Sequence, residues 1–233
     1  MAKELGFDGV ELVIKPSHVL VGTRRIREMS EHCGVPVLSV HQPEWHWPHT
    51  TKGMLRRLAR FAKDVGAQNV TVHFSGLRFH SQEKIFSFIK SLEKEYGITV
   101  ALENSKRGGR DLAPRRAWDE NEIGATAERF GLNLTLDVPK LVVSGGDGEA
   151  FFKNLDQRIV NVHLHGSKKS KIHHPLLASD IDYRPFLKTL SQSGYCRLLT
   201  FEIFPLKHGA SNANEVKETI ASDLKLVLSY WNG

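Results

Sequence analysis

Seven short segments of this chain finish on a side chain able to bind a metal ion or carry a proton. They are Glu11 in "GVEL", His41 in "SVHQP", His73 in "VTVHFSG", Glu103 in "VALENS", Asp137 in "LTLDVPK", His163 in "VNVHLHGS" and Glu202 in "LLTFEIF". Gathered at one place, such carboxylates and imidazoles would repel one another or stay protonated. A divalent cation removes that conflict, and a mixed N/O donor set suits Zn²⁺ or Mn²⁺, with Co²⁺ or Mg²⁺ as further candidates. Taken singly, each has a plainer explanation: an acid at a strand end caps the next helix, and a histidine there is held by hydrogen bonds. It is the repetition of one polar residue at one position of every segment that points to a metal site.

The intervals between these residues run from 26 to 39 positions. They average about 32, the length of one strand–helix unit. A common grammar joins the segments. An amphipathic stretch such as "MLRRLARFAKDVG" or "EKIFSFIKSLEKEYG" ends on glycine, and an apolar β-type run starts within a few residues. Gly6, Gly34, Gly66, Gly97, Gly131 and Gly194 all stand at that junction, where a helix needs a left-handed residue to stop. Seven strands alternating with helices predict a parallel sheet covered by helices, either doubly wound or a (β/α)₈ barrel. No G-x-G-x-x-G fingerprint follows any strand, which weakens the dinucleotide-binding form.

Within the strands Ser39, Thr71, Thr135, Asn161 and Thr200 share a face with the terminal His41, His73, Asp137, His163 and Glu202, while the other parity is apolar. A small polar face suits a barrel axis, and catalytic groups of such barrels sit at the C-terminal ends of strands. The reading is therefore an α/β, (β/α)₈ TIM barrel lacking its first strand, one domain over residues 1–233. The chain opens on "AKELG", the end of a helix. Either the start lies about 20–30 residues upstream, or the barrel is open at one seam whose strand edges a partner chain, as in a homo-oligomer, covers.

Composition sets the surroundings. The 233 residues are 40% hydrophobic and 25% charged, with a net charge of +6 that suits an anionic ligand or a solvated basic surface. Two cysteines, Cys33 and Cys196, lack metal-type spacing and read as structural thiols of a reducing compartment. No apolar run reaches a membrane span, and the N-terminus lacks a signal-peptide core, so a cytoplasmic location is expected.

These motifs, in this order and spacing, resemble the xylose-isomerase-like TIM barrels. That family includes sugar and sugar-phosphate isomerases and epimerases together with endonuclease IV-type AP endonucleases. The resemblance implies that Glu103, Asp137, His163 and Glu202 hold the principal metal. It also implies that His41 and His73, sharing Glu103, match the ligands of a second metal in the endonuclease branch. His173, in "KIHHPLLASDID", matches a loop histidine, and His165, on the face of His163, is an alternative ligand. The chain departs from the family pattern where Lys140 and Lys171 replace a histidine and an aspartate, and where "ASD" replaces "GEG" at 178–180. A third metal is not expected.

The function so implied is a metal-dependent sugar or sugar-phosphate isomerase or epimerase. Glu103 and Glu202 would transfer the proton through a metal-stabilised enediolate, with His73 and Lys140 assisting. Glu11, His41, Trp45, His165, His173, Arg107 and Lys168 would contact the substrate. Lys140, Arg107, Arg110 and Lys168 offer charge for a phosphate or carboxylate, against the plainer reading of solvated loop charge. Trp45 and Trp47 wall a sugar pocket or simply pack. Two other functions stand beside this one. The same cluster with two metals, and the basic loop 105–116, would make a phosphodiesterase acting on nucleic acid. The short loops and the broken third-metal set speak against it. A catalytically idle binding barrel is the other alternative.

Overall fold

Short amphipathic helices that stop on a glycine and feed a five-residue apolar strand leave the chain few options beyond a parallel α/β arrangement. The computed structural model describes residues 1–43, 52–73, 82–104 and 120–231. Trp45, Trp47, Arg107, Arg110 and the loop 105–116 lie outside the described residues. In chain order the strands are β1 (Val10–Val13), β2 (Val37–His41), β3 (Asn69–His73), β4 (Thr99–Glu103), β5 (Asn133–Asp137), β6 (Ile159–Leu164), β7 (Gly166–Lys168), β8 (Lys171–His174) and β9 (Leu198–Phe201). The helices are α1 (Pro16–Val21), α2 (Thr23–Cys33), α3 (Lys52–Val65), α4 (Gln82–Tyr96), α5 (Glu120–Phe130), α6 (Val138–Val142), α7 (Gly148–Leu155), α8 (Arg184–Gln192) and α9 (Ala213–Leu228). Seven strands form one sheet in the order β1-β2-β3-β4-β5-β6-β9, and β7 and β8 form a separate antiparallel hairpin. The fold class is α/β, a TIM barrel of seven parallel strands.

The described residues fall into two compact units. The first takes those within 1–104 and 121–135, the second Glu120 and those within 136–233. In the first, α3 turns Leu55, Leu58, Ala59 and Ala62 inward, and α4 buries Phe86, Ile89 and Leu92. Val40, Val70, Val72, Val100 and Leu102 are buried on the apolar parity of their strands. In the second, Phe152 of α7 meets Phe186 of α8 edge to face, ring centroids 6.1 Å apart, and Tyr195 at 5.7 Å. The six junction glycines all have positive φ. At Gly34, φ is 62° and the N–H closes back on the carbonyls of Glu31 and Ser30, a stop that any other residue would strain.

Strand register then sets the height of each polar residue. His41 pairs with Thr71, Glu103 with Thr135 and His163 with Thr200, so each terminal residue stands level with the position two before its neighbour's. This stagger is the shear expected of strands tilted in a barrel. His73 and Glu103 are the exception and stand directly opposite. Cys33 and Cys196 are free thiols, and both are exposed. Among the described residues no helix is long and apolar enough to cross a membrane.

Replacing Phe152 by Ala removes the centre of the α7–α8 packing. The expected loss is about 3–5 kcal/mol of unfolding free energy, read from chemical denaturation.

Candidate functional site

The first unit carries one group of convergent side chains. His41 and Glu103 are fully buried at the ends of β2 and β4, and His73 ends β3 between them. Glu103 Oε2 lies 3.1 Å from His73 Nε2 and 3.6 Å from His41 Nε2. His41 Nδ1 is 2.6 Å from the Gln42 carbonyl, which can only accept, so Nδ1 carries a hydrogen. A neutral His41 therefore turns a lone pair toward the Glu103 carboxylate. That pairing is repulsive unless a proton or cation stands between them, and separations of 3.1–3.6 Å match ligands about 2.0–2.2 Å from a common ion. By donor chemistry and spacing, this trio fits a divalent metal. Gln42 also fixes the neighbouring strand, its Oε1 accepting from the His73 N–H at 3.1 Å.

Glu11 sits lower. It pairs in register with Ser39, two residues before His41, and its Oε2 accepts from Ser39 Oγ at 2.6 Å and Thr71 Oγ1 at 3.4 Å. Thr71 is joined in turn to Thr135 at 3.0 Å. The polar parity foreseen in the strands is thus a hydrogen-bonded layer beneath the terminal residues.

The second unit carries the other group. Asp137 ends β5 and caps α6, its Oδ1 accepting from the Lys140 N–H at 2.7 Å. Its Oδ2 lies 2.8 Å from Lys140 Nζ and 3.2 Å from His165 Nε2. His163 Nδ1 is 3.4 Å from Glu202 Oε2, and its Nε2 is 3.0 Å from Asn161 Nδ2. His165, His173 and Glu202 offer one ligand atom each within 4.8 Å of one another. Two histidines on the same strand parity are separated by their hydrogen bonds. His165 Nδ1 accepts from the His173 N–H at 3.1 Å, so Nε2 bears the hydrogen and donates to Asp137. By the same reasoning the Asn161 amide, a donor, leaves the hydrogen of His163 on Nδ1, toward Glu202. Tyr183, buried, donates to the His165 carbonyl and holds the strand end.

His173 is set by its backbone. Its φ is 67°, a left-handed conformation uncommon for a side-chain-bearing residue and frequent at functional sites. There its ring packs against His165 at 4.4 Å and Phe204 at 4.7 Å, and its Nδ1 is 3.0 Å from the Glu202 carbonyl. Burial lowers its pKa below the ordinary imidazole value, outweighing the opposing pull of Glu202; His165 and Lys140 lower it further. The segment carrying it is a hairpin, β7 paired antiparallel with β8, rather than the loop that the family resemblance implies. Lys169 and Ser170 form the two-residue turn with φ of 49° and 61°, and the Lys169 N–H donates to Asp180 Oδ2 at 2.7 Å. Lys168, at the exposed end of β7, faces Lys171 across that turn. The "ASD" segment thereby has a structural task. Ser179 Oγ accepts from the Ser167 N–H at 3.0 Å, and the Asp180 N–H donates to Ser167 O at 2.7 Å. Gly166 is required at the hairpin base, because a Cβ there would meet the Pro175 carbonyl oxygen well inside contact distance.

Sequence reasoning missed Asp223. It is fully buried on α9, and its two oxygens accept from the N–H groups of Leu176 and Leu177 at 2.8 and 3.0 Å, directly after the His173 hairpin. Nothing in the amphipathic pattern of that helix separates this acid from its exposed neighbours.

An α/β barrel with acids and imidazoles at the ends of its strands defines a class, and sequence comparison gives it a family. The model described as xylose isomerase-like TIM barrel matches residues 1–222, and the chain belongs to that family. An uncharacterized protein of Mycobacterium tuberculosis is 36% identical over 187 residues, which cover 70% of this chain and 66% of the relative. One of Mycobacterium leprae is 27% identical with the same coverage. The chain thus spans about two thirds of the length of these curated relatives, 66% in each. Among solved structures, L-ribulose 3-epimerase aligns with a TM-score of 0.77 at 17% identity, covering 99% of this chain and 87% of that one. A D-tagatose 3-epimerase-like protein aligns at 0.73 and 19%, covering 99% and 91%. The IOLI protein with a bound zinc atom aligns at 0.73 and 13%, with the same coverage.

Because burial penalises the imidazolium, folded metal-free protein takes up the His173 proton less readily than the unfolded chain. Its contribution to stability is full above the ordinary imidazole pKa of about 6.5 and declines as pH falls through it. A His173→Asn variant is expected to lose less stability than wild type between neutral and mildly acidic pH, as measured by thermal unfolding.

Proposed function

We propose that this chain is a divalent-metal-dependent isomerase or epimerase of sugars or sugar phosphates. The observation that carries the reading is the pair of buried carboxylates, Glu103 and Glu202, each set among imidazoles at the C-terminal end of its strand region. Membership of the xylose isomerase-like family and the epimerases among structures of the same fold support it. Glu103, Asp137, His163 and Glu202 would hold the metal, for which Zn²⁺ and Mn²⁺ suit the donor set. When bound, the ion would supply Lewis acidity to a substrate carbonyl and its neighbouring hydroxyl.

The chain's own groups then carry the proton. Glu103 removes it from the carbon beside the carbonyl, taking the proton as the C–H electron pair moves into the substrate. Glu202 delivers a proton from the opposite side, to the same carbon in epimerisation or to the neighbouring carbon in isomerisation. His73, 3.1 Å from Glu103, holds that carboxylate in place. His41 and His173 orient substrate hydroxyls, and His165 fixes Asp137. Lys140 and Lys168 offer positive charge to a phosphate or carboxylate on the substrate.

The trio His41, His73 and Glu103 favours a second reading, a two-metal phosphodiesterase, because its geometry could take an ion of its own. Metal content separates the two. About one divalent ion per chain in protein purified without chelator supports the isomerase reading, and about two raise the phosphodiesterase.

In D₂O, wild type should exchange the carbon-bound hydrogen of a ketose substrate for deuterium while interconverting its epimers. Glu103→Gln and Glu202→Gln should each lower that turnover by about 10²–10⁴-fold. Absence of exchange across a broad panel of ketoses and aldoses by metal-loaded protein would overturn the proposal.

A further inference from the structure

The second unit holds a cation of its own where the proposed metal would take a ligand. Asp137 Oδ1 is taken by the backbone N–H of Lys140 at 2.7 Å, and Oδ2 by Lys140 Nζ at 2.8 Å with His165 Nε2 at 3.2 Å. The arrangement is built into the local chain. Lys140 is three residues past Asp137 on α6, a five-residue helix capped by Asp137 with Pro139 in its first turn, so the ammonium folds back onto the cap. The Ser144 hydroxyl donates to the Lys140 carbonyl at 2.7 Å and anchors the far end of the turn. The Lys140 side chain is only 12% exposed and Asp137 is fully buried, so solvent screens the pair little.

We propose that Lys140 competes with the divalent metal for Asp137 and so sets the affinity of the metal site. The inference rests on the assignment of Asp137 as a metal ligand. Two cations sharing one carboxylate oxygen in a buried setting repel, so uptake of the metal through Oδ2 and retention of the Lys140 ion pair oppose one another. Two arrangements of the same residues follow. In one, Asp137 is neutralised by Lys140. In the other, Asp137 turns to the metal and the ammonium is released toward an anionic group of the substrate. The lysine thereby lowers metal affinity and links metal uptake to occupation of the site by a negatively charged ligand.

The test is the affinity for Zn²⁺ and Mn²⁺, measured by competition with a chromophoric chelator, with folding of each variant checked by circular dichroism. Lys140→Met removes the competing charge and should bind metal more tightly than wild type by about 10–100-fold, the range over which groups around metal ligands act. Lys140→Arg keeps the charge and should stay near the wild-type value. Equal or weaker binding by a folded Lys140→Met protein overturns the inference while leaving the metal site standing. Failure of every form, wild type included, to take up either metal removes the metal-site reading and the inference with it. Should Lys140→Met not fold, a crystal structure of wild type soaked in Mn²⁺ decides. Nζ displaced from Asp137 supports competition, and Nζ unmoved beside a manganese-bound Oδ2 overturns it.

Discussion

Negative charge buried at strand ends is the constraint around which the described parts of this protein are organised. A carboxylate removed from water is strongly destabilising unless it is paired or hydrogen-bonded. Each unit answers that demand locally. Glu11 is met by the hydroxyls of Ser39 and Thr71, Glu103 by His73, and Asp137 by Lys140 and His165. Glu202 faces His163 and His173, and Asp223 is held by two backbone N–H groups.

The pairings fall into two kinds, with different consequences for chemistry. Hydroxyls and backbone N–H groups satisfy an acid without competing for a cation, as they do at Glu11 and Asp223. Imidazoles satisfy an acid while presenting lone pairs of their own, which is why the surroundings of Glu103 and Glu202 suit proton transfer and metal binding. Asp137 belongs to neither kind. Beside His165 its partner is an ammonium, folded back onto it from the first turn of the helix that Asp137 caps.

Much of the fold was legible because it depends on short-range rules. Helices had to stop at Gly34, Gly66, Gly97, Gly131 and Gly194, whose positive φ the sequence pattern anticipates, and the strand parities separated an apolar face from a small polar one. The hairpin at 166–174 was not legible. Its turn residues, Lys169 and Ser170, are not those that usually take positive φ, and their conformation is held by Asp180, eleven residues from Lys169. The level of Glu11 was equally hidden, because its pairing with Ser39 is a matter of strand register that periodicity does not report.

The sequence by itself determined the family, the strand–helix alternation and the chemical types brought to the strand ends, since these follow from local propensity, side-chain alternation and recurring motifs. Only tertiary structure decided that His165 lies against Asp137, that Lys140 lies on Asp137, and that Asp223 supports the His173 hairpin. Such matters depend on distances between residues far apart in the chain or folded back within a single turn. Hydrogen bonds and ion pairs act over a few ångströms, and residue order alone does not fix separations that small.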